Sequence, residues 1–229
     1  MKKLSVNFTK AELILGWIYM PLQLLVIPLL FNIANMLLGN PISLTDLNFC
    51  FFCFNFLCVT IIFRKYLLGN LKTFFARPLR GFAAASAGFL GYWASSILMS
   101  MLIVTVYPEF VNANDEAIEV MVKDNFALMT IGTVILVPIT EELLFRGLIF
   151  RSIYNRNRFL AYTISAVAFS LPHVLSYIGA YDPLLLLLCF VQYLPAGLCL
   201  AWSYVRGDTI FAPIVIHAAI NYVSINALR

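Results

Sequence analysis

Two adjacent carboxylates and an arginine interrupt a long apolar stretch of this chain. Glu141, Glu142 and Arg146 follow an uncharged run, and apolar residues resume directly after them. An ionisable group at membrane depth costs about 2.5–3.5 kcal/mol on insertion scales, so it marks a functional site by default. The two histidines of the chain, His173 and His217, also lie within apolar segments. Carboxylates and imidazoles can take a proton from water and hold developing charge, so these residues predict hydrolytic chemistry inside a membrane.

The spacing of these residues indicates that they can meet. Residues four apart share one face of a helix. Three such pairs occur, on three separate predicted helices: Glu142 with Arg146, Phe169 with His173, and His217 with Asn221. Counted from the helix ends, Glu141, His173, His217 and Asn221 lie at similar depths, roughly 12–21 Å below the cytoplasmic surface. We therefore expect them to line one water-containing cavity.

The composition defines the class of protein that must position these groups. Hydrophobic residues make up 62% of the chain, charged residues 11%, and the mean hydropathy is +0.91. Soluble domains are about 45–50% apolar and about 25% charged. Because the apolar runs are long and continuous, they predict an all-α polytopic membrane bundle and not the short alternating strands of a β-barrel. The net charge of +4 is explained by the loops, and no nucleic-acid partner is predicted.

Seven segments are long enough for a membrane helix, which needs about 20 apolar residues. They are roughly 12–37, 46–64, 81–107, 126–155, 159–178, 184–205 and 209–227. Basic residues gather at the N-terminus and in every even-numbered loop, namely Lys2, Lys3, Lys10, Arg64, Lys65, Lys72, Arg77, Arg80, Arg151, Arg156, Arg158 and Arg206. The third loop is acidic, with Glu109, Asp115, Glu116, Glu119 and Asp124 around Lys123. Since basic loops stay in the cytoplasm, the N-terminus is predicted to be cytoplasmic.

The three motifs resemble those of the CPBP family (CAAX prenyl protease and bacteriocin-processing, also called Abi) of intramembrane proteases. The family motifs are Glu-Glu-x-x-x-Arg, Phe-x-x-x-His and His-x-x-x-Asn. They read here Glu141-Glu142-Leu-Leu-Phe-Arg146, Phe169-Ser-Leu-Pro-His173 and His217-Ala-Ala-Ile-Asn221, in the family's order. The resemblance covers about residues 126–227. It implies one integrated membrane domain, with variable transmembrane helices over 1–125 and a catalytic core over 126–229.

By this resemblance, each motif residue has a role. Glu141 would be the general base that activates water, assisted by His173. His217 and Asn221 would stabilise the oxyanion, while Glu142, Arg146 and Phe169 would support the site. Glu141, His173 and His217 could also complete a zinc site with three protein ligands, although no His-Glu-x-x-His helix is present. The cofactor is therefore either none or Zn²⁺, and both versions stay open.

The function that follows is an intramembrane endopeptidase acting on a membrane-associated peptide or protein. We expect cleavage near the cytoplasmic half of the bilayer, with substrate entering between helices or from the cytoplasmic mouth. The small size, the Lys-Lys start and the bacterial members it resembles favour a bacterial cytoplasmic membrane. There the reaction would serve peptide or bacteriocin maturation or bacteriocin self-immunity; CAAX-type processing is the eukaryotic counterpart.

Two other classes of protein fit parts of the sequence. A non-proteolytic membrane scaffold that regulates a partner would need none of the motif chemistry, whereas this chain keeps all three motifs. A small transporter could use Glu141 and the histidines as a proton relay. Taken singly, the motif residues also have structural interpretations: Glu142–Arg146 as an ion pair, and Asn221 as a polar contact between helices. Gln192 is expected either in such a contact or at the cavity.

Overall fold

The structure, a computed structural model, describes residues 4–229. Lys2 and Lys3, which entered the orientation prediction, lie outside the described residues. The described chain forms nine helices: α1 (Lys10–Leu37), α2 (Leu44–Ile62), α3 (Arg64–Ala76), α4 (Pro78–Val106), α5 (Ala113–Asp124), α6 (Phe126–Tyr154), α7 (Arg158–Leu175), α8 (Pro183–Gly207) and α9 (Phe211–Ala227). α1 and α6 contain π-helical turns, at Leu22–Val26 in α1 and at Gly132–Leu136 and Leu143–Phe150 in α6.

Short polar side chains start most of the membrane helices. Thr9, Ser43, Asn125, Asn157 and Asp182 each accept a hydrogen bond from a backbone N–H in the first turn of the helix that follows. Such caps satisfy N–H groups that have no partner within the helix. The apolar runs therefore begin as helices at defined residues.

The polytopic helical architecture predicted from composition is confirmed. Six helices, α1, α2, α4, α6, α7 and α8, are long and apolar enough to cross a membrane. The seventh predicted span corresponds to the apolar helix α9, which is shorter. Apolar side chains such as Leu25, Leu90, Met101 and Leu187 are exposed around the bundle, as expected of surfaces that face lipid.

Two further helices lie where the sequence analysis had placed loops. α3 carries three of the five basic residues of the second loop, Arg64, Lys65 and Lys72, and α5 carries most of the acidic residues of the third. Both were missed because a search for long apolar runs passes over polar helices. α5 is supported by the Asn112 cap and by a 2.5 Å ion pair between Glu119 and Lys123, four residues apart.

The two ends of the bundle differ in charge and in packing. At the basic end, the backbone N–H of Ser5 donates to Asp208 Oδ1 at 2.9 Å, and the Arg151 guanidinium donates to the carbonyls of Leu4 and Val6. The ring of Phe8 stacks on that of Tyr66, with centroids 3.9 Å apart. Residues 4–8 therefore cover the basic end. α5 lies at the opposite end, which we call the acidic end.

Candidate active site

The two glutamates of α6 face different surroundings. They stand at the end of the α-helical turn Val137–Glu142, which is flanked on both sides by π-helical turns. Such turns occur frequently at functional sites. The Glu142 side chain is fully buried, whereas the Glu141 side chain is 24% exposed and lines a cavity. One carboxylate is thus directed into the protein and its neighbour towards space that a substrate can occupy.

Arg146 is held by three different groups. Its Nη1 donates to Glu142 Oε1 at 2.9 Å, and its Nη2 donates to the carbonyl oxygen of Gly197 in α8 at 3.2 Å. Its Cζ atom lies 4.2 Å from the centre of the Phe169 ring. Both members of the ion pair are fully buried. Buried charges require partners of this kind, so the pairing of Glu142 with Arg146 inferred from their spacing is present in the structure.

His217 contacts both glutamates. Its Nδ1 lies 2.8 Å from Glu142 Oε1, and its Nε2 lies 3.9 Å from Glu141 Oε2. An ionised carboxylate can only accept hydrogen bonds, so Nδ1 carries a hydrogen and donates it to Glu142. Glu142 therefore bridges Arg146 and His217, a link that helix spacing alone did not reveal because it joins α6 to α9.

Phe169 lies between the other motif side chains. Its carbonyl oxygen is 3.0 Å from His173 Nδ1, which must therefore donate, leaving a lone pair on Nε2 of the neutral ring. The Phe169 ring centre is 5.1 Å from that of His173 and 5.5 Å from that of His217. On its other side, the His173 ring stacks on Tyr193 of α8, with centroids 4.2 Å apart.

Asn221 connects α9 to the first π-helical turn of α6. Its Nδ2 donates to the carbonyl oxygen of Thr133 at 2.7 Å, which uses one of the two amide hydrogens. This contact is the interhelical role considered for Asn221 in the sequence. The side chain also lines the cavity, so its second hydrogen is left for the predicted oxyanion role, which stays a prediction.

Four predicted site residues meet around one cavity of about 370 Å³: Glu141, His173, His217 and Asn221. From there the cavity extends to the acidic end, where Asn114 and Asp115 of α5 and the exposed Ser224 of α9 line it. Two entrances are predicted from the sequence, one between helices and one at the cytoplasmic mouth, and the second would lie at the basic end. That end is instead filled by the buried run Leu143–Phe150 and covered by residues 4–8. The position of a residue along its helix gives its depth, but it does not show which end of the bundle is left unfilled by side chains.

A polar network at the acidic end was not predicted as part of the site. Asn112 Nδ2 donates to Gln192 Oε1 at 2.6 Å, and Asn114 Nδ2 donates to Tyr193 Oη at 3.1 Å. Gln192 lines the cavity and takes part in this contact, so both roles considered for it apply. For the asparagines of this network, the sequence signal was the density of Asn and Asp residues between two apolar runs. Such a density indicates a loop equally well.

The predicted zinc ligands do not converge in this geometry. Zinc binds nitrogen and oxygen ligands at about 2.0–2.2 Å, so three ligand atoms must surround one point. Within residues 4–229, no group of three or more His, Cys, Asp or Glu side chains is arranged to hold a metal ion. The cavity is lined by Glu141, His173 and His217, but these three side chains do not form such a group.

Fold and site together define a polytopic helical membrane protein with carboxylates and histidines around an internal cavity. Residues 123–223 match the model of a family described as type II CAAX prenyl endopeptidase Rce1-like. This segment contains all three motifs, so the resemblance to the CPBP proteases is confirmed for this part of the chain. At the level of the family, the match indicates an intramembrane protease.

The chain is also similar to a curated protein. The UPF0177 protein YxdF of Lactococcus lactis subsp. lactis is 32% identical over 95 residues, which are 42% of this chain and 47% of that protein. The aligned part thus spans about half the length of that relative. No solved structure matches the chain.

Proposed function

We propose that the protein is an intramembrane endopeptidase that hydrolyses a peptide bond in a membrane-associated peptide or protein. The observation that supports this most is the meeting of Glu141, His173 and His217 around one cavity, within the segment that matches the protease family. The lactococcal relative favours a bacterial cytoplasmic membrane as the setting. Peptide or bacteriocin maturation, self-immunity and CAAX-type processing are the roles to test.

The first step is attack by water. The Glu141 side chain is 24% exposed and lines the cavity, so its carboxylate can accept a hydrogen bond from a water molecule there. His173 Nε2, with its lone pair, accepts the second hydrogen of that water and orients it. Glu141 takes the proton as the water oxygen attacks the carbonyl carbon, and a tetrahedral oxyanion forms.

The second step is collapse of that intermediate. His217, protonated on both nitrogens, donates from Nε2 to the oxyanion while Glu142 holds Nδ1. The remaining hydrogen of Asn221 Nδ2 is the second donor. Donors of this kind are each worth about 10²–10³ in kcat when aimed at the developing charge. Glu141 returns its proton to the leaving amine as the C–N bond breaks.

Charge balance supports this assignment. Glu141 and Glu142 carry two negative charges, and Arg146 with a protonated His217 carries two positive charges, so the cluster sums to zero. A neutral cluster is the arrangement that costs least in a medium where unpaired charge is expensive. Glu142 and Arg146 act by holding His217, without contact with the substrate.

The test is cleavage of a peptide library, including membrane-anchored peptides, by purified protein in lipid nanodiscs. Glu141→Gln preserves size and removes the base, so we expect no products from it. Glu119→Gln, on the exposed face of α5, is the matched control and should cleave like the wild type. Equal products from wild type and Glu141→Gln would remove Glu141 from the mechanism. A chain that cleaves nothing but still binds a partner after Glu141→Gln would fit the scaffold.

A further inference from the structure

The cavity has two chemically distinct ends. Glu141 and the two histidines form one end, and the residues of α5 form the other. The lining carries the carboxylates of Glu141 and Asp115 and the imidazole of His217, which the proposed mechanism protonates; no Lys or Arg is among the described residues that line the cavity. Arg146 is fully buried against Glu142. At the acidic end, the lining therefore presents the negative charge of Asp115 to whatever enters it.

Asp115 has no cationic partner within residues 4–229. Its Oδ1 accepts a long hydrogen bond, 3.5 Å, from Tyr193 Oη. The one lysine of α5, Lys123, is paired with Glu119 on the exposed face. Burial raises the pKa of the Asp115 carboxyl, and the hydrogen bond from Tyr193 opposes that rise. A cation placed beside this carboxylate would offset the cost of its burial.

The surrounding side chains hold Asp115 in place. Its backbone N–H donates to Asn112 Oδ1 at 3.3 Å, and Asn112 is in turn bound to Gln192 of α8. Tyr177 Oη donates to Asn114 Oδ1 at 3.4 Å, which adds a contact from the segment after α7. The backbone that carries Asp115 is thus fixed to the rim by contacts with two other parts of the bundle, as a binding site requires.

Tyr193 sets the distance between the two ends. Its ring stacks on His173, and its hydroxyl reaches Asp115. These contacts place the Asp115 carboxylate no more than about 11 Å from the His173 ring, the length of roughly three extended residues. A peptide with its scissile bond at Glu141 can therefore extend one residue side chain, or its amino terminus, to Asp115.

We propose that the acidic end of the cavity is a subsite for a cationic group of the peptide substrate, with Asp115 as its counter-charge, within about three residues of the scissile bond. The cationic group is a lysine or arginine side chain or a free amino terminus. Glu116 and Asp124 on the same helix add to the negative potential that attracts cations to this end, whereas the charge of Glu119 is neutralised by Lys123. The inference rests on the proposed function for the position of the scissile bond.

The test measures binding separately from cleavage. The Glu141→Gln protein, full length in nanodiscs of zwitterionic lipid, is immobilised and offered a peptide library in which one scanned position is Lys, norleucine or Glu. Half of the library is N-acetylated. Retained peptides are identified by mass spectrometry. We expect Lys peptides to be enriched at least about tenfold over Glu peptides, as hydrogen bonds to charged groups predict.

Second substitutions in the Glu141→Gln protein identify the residue that causes the preference for Lys peptides. Adding Asp115→Asn, which keeps the side-chain shape, should abolish the enrichment, and Asp115→Lys should reverse it. Adding Glu119→Gln is the matched surface control and should leave it unchanged. If N-acetylation lowers the retention of the peptides, the bound cation is the amino terminus. If replacing lysine by norleucine lowers it, the bound cation is the lysine side chain. Thermal melting of each variant confirms that it is folded.

The outcomes separate this inference from the proposed function. Equal retention of Lys and Glu peptides that N-acetylation does not lower, retention of none, or a preference unchanged by Asp115→Asn overturns the subsite, even if the wild type cleaves peptides. Enrichment that depends on Asp115, without cleavage by the wild type, supports the subsite and overturns the protease.

Discussion

One oxygen atom, Oε1 of Glu142, lies 2.8 Å from His217 Nδ1 and 2.9 Å from Arg146 Nη1. The second glutamate of the motif is therefore the shared partner of the Arg146 guanidinium in its own helix and of the His217 imidazole in α9. It fixes the imidazole of α9 relative to α6, and it leaves Glu141 as the carboxylate that is accessible from the cavity. The two glutamates are adjacent in sequence but have separate tasks.

Glu142→Gln should destabilise the protein far more than Glu141→Gln. Removing the charge of Glu142 leaves Arg146 buried without a counter-ion, and breaking a buried pair in this way costs about 3–5 kcal/mol. Glu141 is partly exposed and its contact with His217 Nε2 is 3.9 Å long, so its neutral variant should lose much less stability. Thermal unfolding in the same nanodiscs compares the two. Equal loss of stability in both variants would contradict the separation of tasks.

Tyr193→Ala should lower kcat, whereas Tyr193→Phe should preserve it. The ring supports His173 by stacking, and a catalytic group displaced by about 1 Å can cost about 10²-fold in rate. Phenylalanine keeps the ring and loses only the hydroxyl contacts with Asn112, Asn114 and Asp115. Its effect should therefore fall on KM. Steady-state kinetics separates the two constants, and an equal fall of kcat in both variants would assign the role to the hydroxyl.

Asp115→Asn should raise the unfolding temperature at neutral pH. Burial raises the folded-state pKa of Asp115 above its unfolded value, so the ionised carboxylate costs stability in the folded protein. That cost is present above the folded pKa and is lost as pH falls below the ordinary aspartate pKa, about 3.9. The rise in unfolding temperature caused by Asp115→Asn should therefore become smaller as the pH falls. Melting curves from pH 7 to pH 3.5 test this, and a gain that does not change with pH would point to another cause.

Chelation should leave cleavage intact if the side chains act without a metal. This is the expected result, because Glu141, His173 and His217 do not converge as three ligands. The measurement is cleavage after 1,10-phenanthroline, with metal content determined on the same sample. Loss of activity that added Zn²⁺ restores would instead establish the zinc-assisted version.

The motif residues were predictable because helical periodicity is local. A spacing of four residues placed Glu142 beside Arg146 and Phe169 beside His173, and both contacts are present. The bridge from Glu142 to His217 was not predictable in this way, since it depends on how α6 and α9 pack. The sequence likewise indicated a polar segment at Asp115 without showing that this segment forms a helix and lines the cavity.

The end of the bundle towards which the cavity extends could be known only from the packed structure. Basic and acidic loops predicted two different ends, but charge does not show which end side chains fill. The buried run Leu143–Phe150 continues the apolar pattern of a membrane helix and has no feature that marks it as a closure. The π-helical turns on both sides of the glutamates also have no simple sequence signal.

The close approach of α7 and α8 limits how a substrate can reach the glutamates sideways through the lipid. A Cβ atom on Gly197 would lie 2.7 Å from the Cα atom of Ala166, so the two backbones are in contact and leave no room for a third chain. The carbonyl of Gly197 is also a partner of Arg146. Parting these helices would release the guanidinium that holds Glu142. The contact between α7 and α8 therefore closes this side of the cavity. A substrate that enters from the lipid would have to pass between other helices.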